Sequence, residues 1–406
     1  MEYLLTNIHR IDSKGEGKGI LGVSSDNLIT YNSKKTKKPV SFNVGGDYYA
    51  YPGFINSHDH LLGNYFPRVG NGPYLNWLPW DNDLKSAKIY QERAKLTNYE
   101  IYFIACLRNL ISGVTWISDH IPHVVNEKFI PHLPINIISR YTLAHEVSSY
   151  DLKWGDPKKE HEIAKKEKIP FITHIEEGFD EEAKKGVDYL KEYQALDEYT
   201  VMVHGIALSE EDLKDIGIAK AHLVWCPTSN TFMFSKTADV KNWLKNKINV
   251  CLGTDSPMSG GLNLLEEIRF ARSVYEKMYG EKLDERLIFQ MITSNPAKAF
   301  KIPAGDLSEN SPANFVITRK ITDNPYTNLA YLTLSDIALV VVNGKPLYGD
   351  MKFAPLLKEL KIQHWKIEVE NEEKFLAIRG SLKILKKLKT LLGYPKYLPF
   401  LPINLD

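Results

Sequence analysis

From Tyr51 to about Ile302 short apolar runs alternate with helical stretches, and this alternation constrains the fold more than any other feature. Strands are expected at Gly113–Ser118, Ile135–Ser139, Pro170–Thr173, Thr200–Val203, His222–Trp225 and Val250–Gly253, and helices at Tyr99–Ile111, Glu160–Lys168, Glu181–Tyr193 and Leu264–Met278. Strand-helix alternation predicts a parallel sheet, and six or more such units favour a closed barrel over an open sheet. Residues 1–50 have another texture, with apolar pieces such as Gly19–Val23 and Asn27–Tyr31 broken by Gly, Asn and Lys, which read as small antiparallel strands. The β texture returns in Ala313–Thr318 and Ile337–Asn343. The expected architecture is α/β: a TIM-type (β/α)8 barrel over 51–302, beside a small β-sandwich built from 1–50 and 303–350. The interval between His145 and Pro170 already holds a helix and is too short for a further complete unit, so a shortened middle βα unit is expected there.

Residues 351–406 form a C-terminal extension with a basic amphipathic helix. Ser381 can cap it, Gly393 can end it and Pro395 blocks its continuation. Leu382, Leu385, Leu388 and Leu392 make an apolar stripe, with Lys383, Lys386, Lys387 and Lys389 around the rest of the wheel. Such a stripe ordinarily docks on the body of its own protein; an anionic membrane surface is the alternative.

The 406 residues include 51 basic and 50 acidic side chains, a balance that argues against an extended nucleic-acid footprint. Cys106, Cys226 and Cys251 are odd in number and far apart, which reads as reduced thiols and a cytoplasmic location. Met1–Thr6 does not open an export signal, and no apolar run is long enough for a membrane span. A homo-oligomer, such as a dimer, is compatible with this composition.

Chemistry concentrates at the ends of the expected strands. In Tyr51-Pro-Gly-Phe-Ile-Asn-Ser-His-Asp-His60 an apolar run ends in two histidines one residue apart. On a strand His58 and His60 share a face and Asp59 points away. His174 follows Pro170–Thr173, His204 follows Val201–Val203, and Asp255 follows Val250–Thr254. In a parallel barrel, side chains at the C-terminal strand ends converge on one mouth. These five side chains are potential ligands of a divalent metal or catalysts beside it. A proton-transfer carboxylate is available in Glu176 or Glu177, which the residues alone leave as near-equal candidates. The loop after His60 carries Tyr65, Phe66, Arg68, Tyr74, Trp77 and Trp80, a set suited to a flat heterocycle, with Arg68 meeting a carbonyl or acid group. His120, His123 and His145 follow the expected second and third strands and are further candidates for the pocket wall.

The segments Pro52–His60, Gly113–Thr115, His174–Glu177, Val203–Gly205, Cys226-Pro-Thr-Ser-Asn230, Gly253–Ser256 with Asn263–Glu267, and Thr293–Ala297 resemble, in order, the amidohydrolase superfamily. The resemblance is to its cytosine deaminase and chlorohydrolase group, which includes triazine aminohydrolases, and it runs to about Asp350. It implies one divalent ion per chain, zinc first and iron or manganese as alternatives, held by His58, His60, His174 and Asp255. It implies Glu177 as proton shuttle and His204 as the group that orients and polarises water, with Asp255 also in the catalytic set. A metal-bound hydroxide would then attack an sp² carbon, deaminating an amino-substituted purine, pterin or triazine-like ring. Trp77, Trp80, Arg68, His120 and His145 are the expected substrate contacts. Hydrolysis of a cyclic amide or another C–N bond is the alternative chemistry, and a non-catalytic barrel scaffold is the alternative of another class.

Overall fold

A computed structural model describes residues 2–31, 39–394 and 396–405. Eight parallel strands in two sheets carry the candidate site. Phe54–Asp59, Val114–Asp119 and Asn136–Ile137 pair in chain order as one sheet, and Thr142–Glu146, Phe171–Ile175, Thr200–His204, His222–Trp225 and Asn249–Leu252 pair in chain order as another. Most of their residues are buried, as expected of parallel strands covered on both faces. The last and first of these strands lie side by side at their C-terminal ends, where the Asp255 amide donates to the His58 carbonyl at 3.0 Å. That approach requires glycine at 253, since a Cβ there would stand 2.7 Å from the Cβ of His58.

The helices between the strands begin where local chemistry places them. Thr97 and Glu100 make a capping box for Asn98–Leu110, Asp156 caps Pro157–Glu167, and Asn263 caps Leu264–Tyr279. The expected helix at Glu181–Tyr193 is shorter, a 3₁₀ turn at Ala183–Lys185 followed by Gly186–Glu192.

The compression expected after His145 lies before it instead. His145 sits inside a strand, Thr142–Glu146, and the helix Pro157–Glu167 follows in the ordinary way. The shortened element is Asn136–Ile137, part of the expected strand Ile135–Ser139, which reaches the next strand through residues 138–141 without a helix. Thr142-Leu-Ala-His-Glu146 mixes apolar and ionisable side chains that are all buried, so neither an alternating nor an apolar pattern marks it.

The remaining strands form one eleven-stranded sheet from both ends of the chain. Its centre pairs Tyr48–Pro52 antiparallel to Phe315–Arg319 and parallel to Tyr3–Asp12. Residues beyond Asp350 join it, through Glu372–Leu376, Trp365–Val369 and Ile403–Asn404. The tail helix spans Ser381–Thr390, with Gly380 in the left-handed region taking the capping position expected of Ser381. Ile384, Leu385 and Leu388 are buried, Leu382 and Leu392 only partly, and Lys387 meets Glu100 at 2.7 Å. The stripe therefore packs on the protein itself. Pro395 lies outside the described residues. Among the described residues no helix is long and apolar enough to cross a membrane, and Cys106, Cys226 and Cys251 are buried free thiols.

Candidate metal centre and its cavity

His58 and His60 leave the first parallel strand on one side, their rings 4.9 Å apart, while Asp59 turns the other way to meet Arg108 at 2.8 Å. His174, at the end of Phe171–Ile175, brings its Nε2 to 3.4 Å from Nε2 of His58. Asp255 Oδ1 stands 3.9 Å from Nε2 of both His58 and His60. Ligand atoms of His58, His60 and His174 lie within 4.8 Å of one another, as do those of His58, His204 and Asp255 and those of His174, Glu177 and His204. His204 and Asp255 adopt φ of 75° and 54°, left-handed values at which non-glycine residues are uncommon.

The donor set fits a divalent ion. Nδ1 of His174 lies 2.7 Å from the carbonyl of His145, so the proton placed there leaves Nε2 free to ligate. Burial first, then the neighbouring imidazoles, hold His58 and His174 well below the ordinary histidine range. Two neutral imidazoles face each other across 3.4 Å with a carboxylate alongside, an arrangement a cation would complete. Burial opposes ionisation of Asp255, yet His60, His204 and the hydroxyls of Ser229 and Ser259, each donating at 2.7 Å, keep its carboxyl below the usual range.

Glu177 lies across from this cluster, its Oε1 3.5 Å from Nε2 of His204. Burial, then the charges of Asp255 and Glu146, push its carboxyl well above the ordinary range. Its neighbour Glu176 points elsewhere, accepting from the amide of Val187 at 3.4 Å. Geometry thus separates two carboxylates that the residues alone left open.

The cluster floors a cavity of about 380 Å³. Trp77, Trp80 and His145 line it with Trp154, Phe66 and Met258. The Trp77 indole donates to Glu146 at 2.5 Å and its ring meets His145 edge-on at 4.7 Å. Burial, opposed by the Trp77 and Ser148 bonds, lifts Glu146 to about 7. The segment carrying Trp77 is tied to the Glu177 loop: Trp77 N donates to the Glu177 carbonyl at 3.2 Å, and Phe179 N to the Leu75 carbonyl at 2.8 Å.

Other expected contacts lie elsewhere. Arg68 is turned to a separate cavity of about 920 Å³ bounded by Phe232, Arg269 and the tail around Tyr397, and donates to the Gly260 carbonyl at 3.1 Å. Arg68 is not among the residues that line the cavity over the histidine cluster; the loop after His60 folds back on residues 258–260, with Val69 N bonded to the Met258 carbonyl. His120 stacks on His174 with ring centres 4.0 Å apart and reaches the Ala144 carbonyl, behind the cavity wall. His123 is held at 2.7 Å to the Tyr141 carbonyl. Glu146, Ser229, Asn230 and Ser259 were not singled out by sequence reasoning. The segment Cys226–Asn230 is a signal for Ser229 and Asn230; Glu146 has none, because the mixed composition of Thr142–Glu146 marks no strand.

Residues 158–347 match the Amidohydrolase family. The 5-methylthioadenosine/S-adenosylhomocysteine deaminase of Thermoanaerobacter pseudethanolicus is 27% identical over 393 residues, covering 81% of this chain and 88% of that protein. Among solved structures, the atrazine chlorohydrolase of Arthrobacter aurescens complexed with zinc superposes with a TM-score of 0.72 at 18% identity, over 85% of this chain and 95% of that one. An adenosine deaminase of Xanthomonas campestris with bound zinc gives 0.71 at 16% identity, over 88% and 97%. At such identities the structural likeness is one of fold.

Proposed function

We propose that this chain, which carries an amidohydrolase family domain, is a metal-dependent hydrolase that removes an amino group from a heterocycle as ammonia. The observation that carries the reading is the meeting of Glu177 and His204, 3.5 Å apart, with the His58/His60/His174/Asp255 cluster on the floor of an aromatic-walled cavity. The sequence relative that deaminates methylthioadenosine and S-adenosylhomocysteine supports an adenine-type ring as the first substrate class to try. Zinc in two neighbours of like fold supports zinc as the ion, one per chain, on His58, His60, His174 and Asp255. We also read the two parallel sheets as the staves of one (β/α)8 barrel, and the eleven-stranded flank sheet as a β-sandwich beside it.

A divalent ion bound there supplies a Lewis acid and lowers the pKa of water to about 7. Glu177 takes one proton from the attacking water and gives it to the ring nitrogen. It then takes the second, from the hydroxyl on the tetrahedral carbon, and gives it to the amino group, which leaves as ammonia as the C=O forms; its raised pKa suits it to hold each proton in transit. His204 accepts a hydrogen bond from the attacking water and so holds it on its attack line. Trp77 and Trp80 clasp the flat ring and keep bulk water away. An ammonia-release screen of the zinc-loaded protein over adenine nucleosides, other aminopurines, pterins and triazines tests the reading. Ammonia with an intact ring is the expected result; ring opening without ammonia would assign the site to cyclic-amide hydrolysis, and no turnover of any class would overturn it.

A further inference from the structure

The orientation of His204 is set by a chain of buried groups that stand behind it. Its Nδ1 lies 2.8 Å from Oδ1 of Asn230, both residues being almost wholly buried. Asn230 sits in the first turns of the helix Pro227–Phe234, one position after Ser229, which binds Asp255. The amide nitrogen of Asn230 donates to Oγ1 of Thr237 at 3.4 Å. The same oxygen accepts the indole N–H of Trp225 at 2.7 Å. An indole nitrogen can only donate, so Thr237 acts as an acceptor toward it. With Asn230 Nδ2 given to the second lone pair of that oxygen, Oδ1 is left for the imidazole, and an amide oxygen can only accept. The proton of a neutral His204 therefore belongs on Nδ1.

We propose that Asn230 and Thr237 are positioning residues that hold His204 in the Nδ1–H tautomer, so that Nε2 presents a lone pair to the reaction side of the cavity. The inference rests on the proposed role of His204 in this site, and it adds what fixes that role. With the opposite tautomer Nε2 would carry a hydrogen toward the space between Glu177 and the metal-type cluster, and could donate but not accept there. The backbone takes left-handed φ of 75° at His204 and 54° at Gly205, and the ring is held from behind through Nδ1. Neither Asn230 nor Thr237 lines the cavity, so neither would touch the substrate.

The test reads the tautomer directly. Zinc-loaded protein labelled with ¹⁵N-histidine is examined by long-range ¹H–¹⁵N correlation, with His204→Gln identifying the signal. The expected spectrum shows a protonated Nδ1 and an unprotonated Nε2 at His204. Asn230→Leu should mix the tautomers while metal content stays unchanged, and should lower kcat by about 10- to 100-fold with KM within about twofold. Asn230→Asp, whose carboxylate can accept from Nδ1–H, should restore both the wild-type tautomer and most of kcat. Thr237→Val should show the same spectral change in weaker form, and serves as well if Asn230→Leu does not fold. A protonated Nε2 in the wild type, or an unchanged tautomer in both variants, would overturn the proposal. The tautomer is read without substrate, so failure of the deamination reading leaves this result interpretable by itself.

Discussion

The guanidinium of Arg108 lies 2.8 Å from the carboxylate of Asp59, and both groups are fully buried directly behind the two histidines of the first parallel strand. Arg108 also donates to the carbonyls of Gly261 at 2.6 Å and Leu262 at 2.7 Å, so one side chain links that strand to the loop after Asp255. Substituting Arg108 by Met leaves Asp59 without its charge partner in a dry interior, and should destabilise the fold by about 3–5 kcal/mol. Asp59→Asn in the same background should recover part of the loss. Urea denaturation of the single and double variants checks both outcomes, and equal stability of Arg108→Met and wild type would contradict the assignment.

Metal content follows from the donor set. Mass spectrometry of the native protein should find about one divalent ion per chain, and His174→Ala should lose most of it. Chelation should also lower the thermal midpoint, because an ion bound only by the folded state stabilises it by mass action.

Glu177→Gln keeps the size and hydrogen-bonding reach of the side chain but cannot carry the proton. Metal content should therefore stay near wild type while kcat falls by about 10²- to 10⁴-fold. Wild-type turnover in this variant would remove Glu177 from the reaction.

His222 gives the fold a pH dependence that owes nothing to the metal site. It is buried at the opposite end of its strand, accepts from Asn249 at 3.0 Å, and is pushed down to about 4 by burial and then by Lys298 and Lys301. Between that value and the unfolded pKa of about 6.5 the unfolded chain binds more protons, so stability falls as pH drops through this window. The loss from this group between pH 7 and pH 5 should be about 2 kcal/mol. Denaturant midpoints at the two pH values should show it, and His222→Gln, which retains an acceptor for Asn249, should flatten the slope.

What could be read from the residues follows from where each one sits. His58, His174, His204 and Asp255 each end a recognisable apolar run, so their places at strand ends can be read from the chain, and the structure brings them together. The strand Thr142–Glu146 buries a histidine and a glutamate among its five residues, so neither pattern marks it, and the compression expected from the sequence falls on the wrong side of His145. Arg68 shows the other limit. It lies in a long loop whose course is decided by tertiary contacts, the Val69–Met258 backbone bond among them, and local pattern says nothing about which way such a loop turns. The tail beyond Asp350 paired into the flank sheet for the same reason: strand partners far apart in sequence are chosen by available edges.

The amide of Trp77 is bonded to the carbonyl of Glu177, so the ceiling of the cavity and the residue proposed to ferry protons hang from the same stretch of backbone. A guest too tall for the space cannot raise the ceiling without also tilting the ferryman. On the proposed reaction, selection by size and competence for chemistry would then be one mechanical property: a misfitting ring would misalign Glu177 even where it is able to enter.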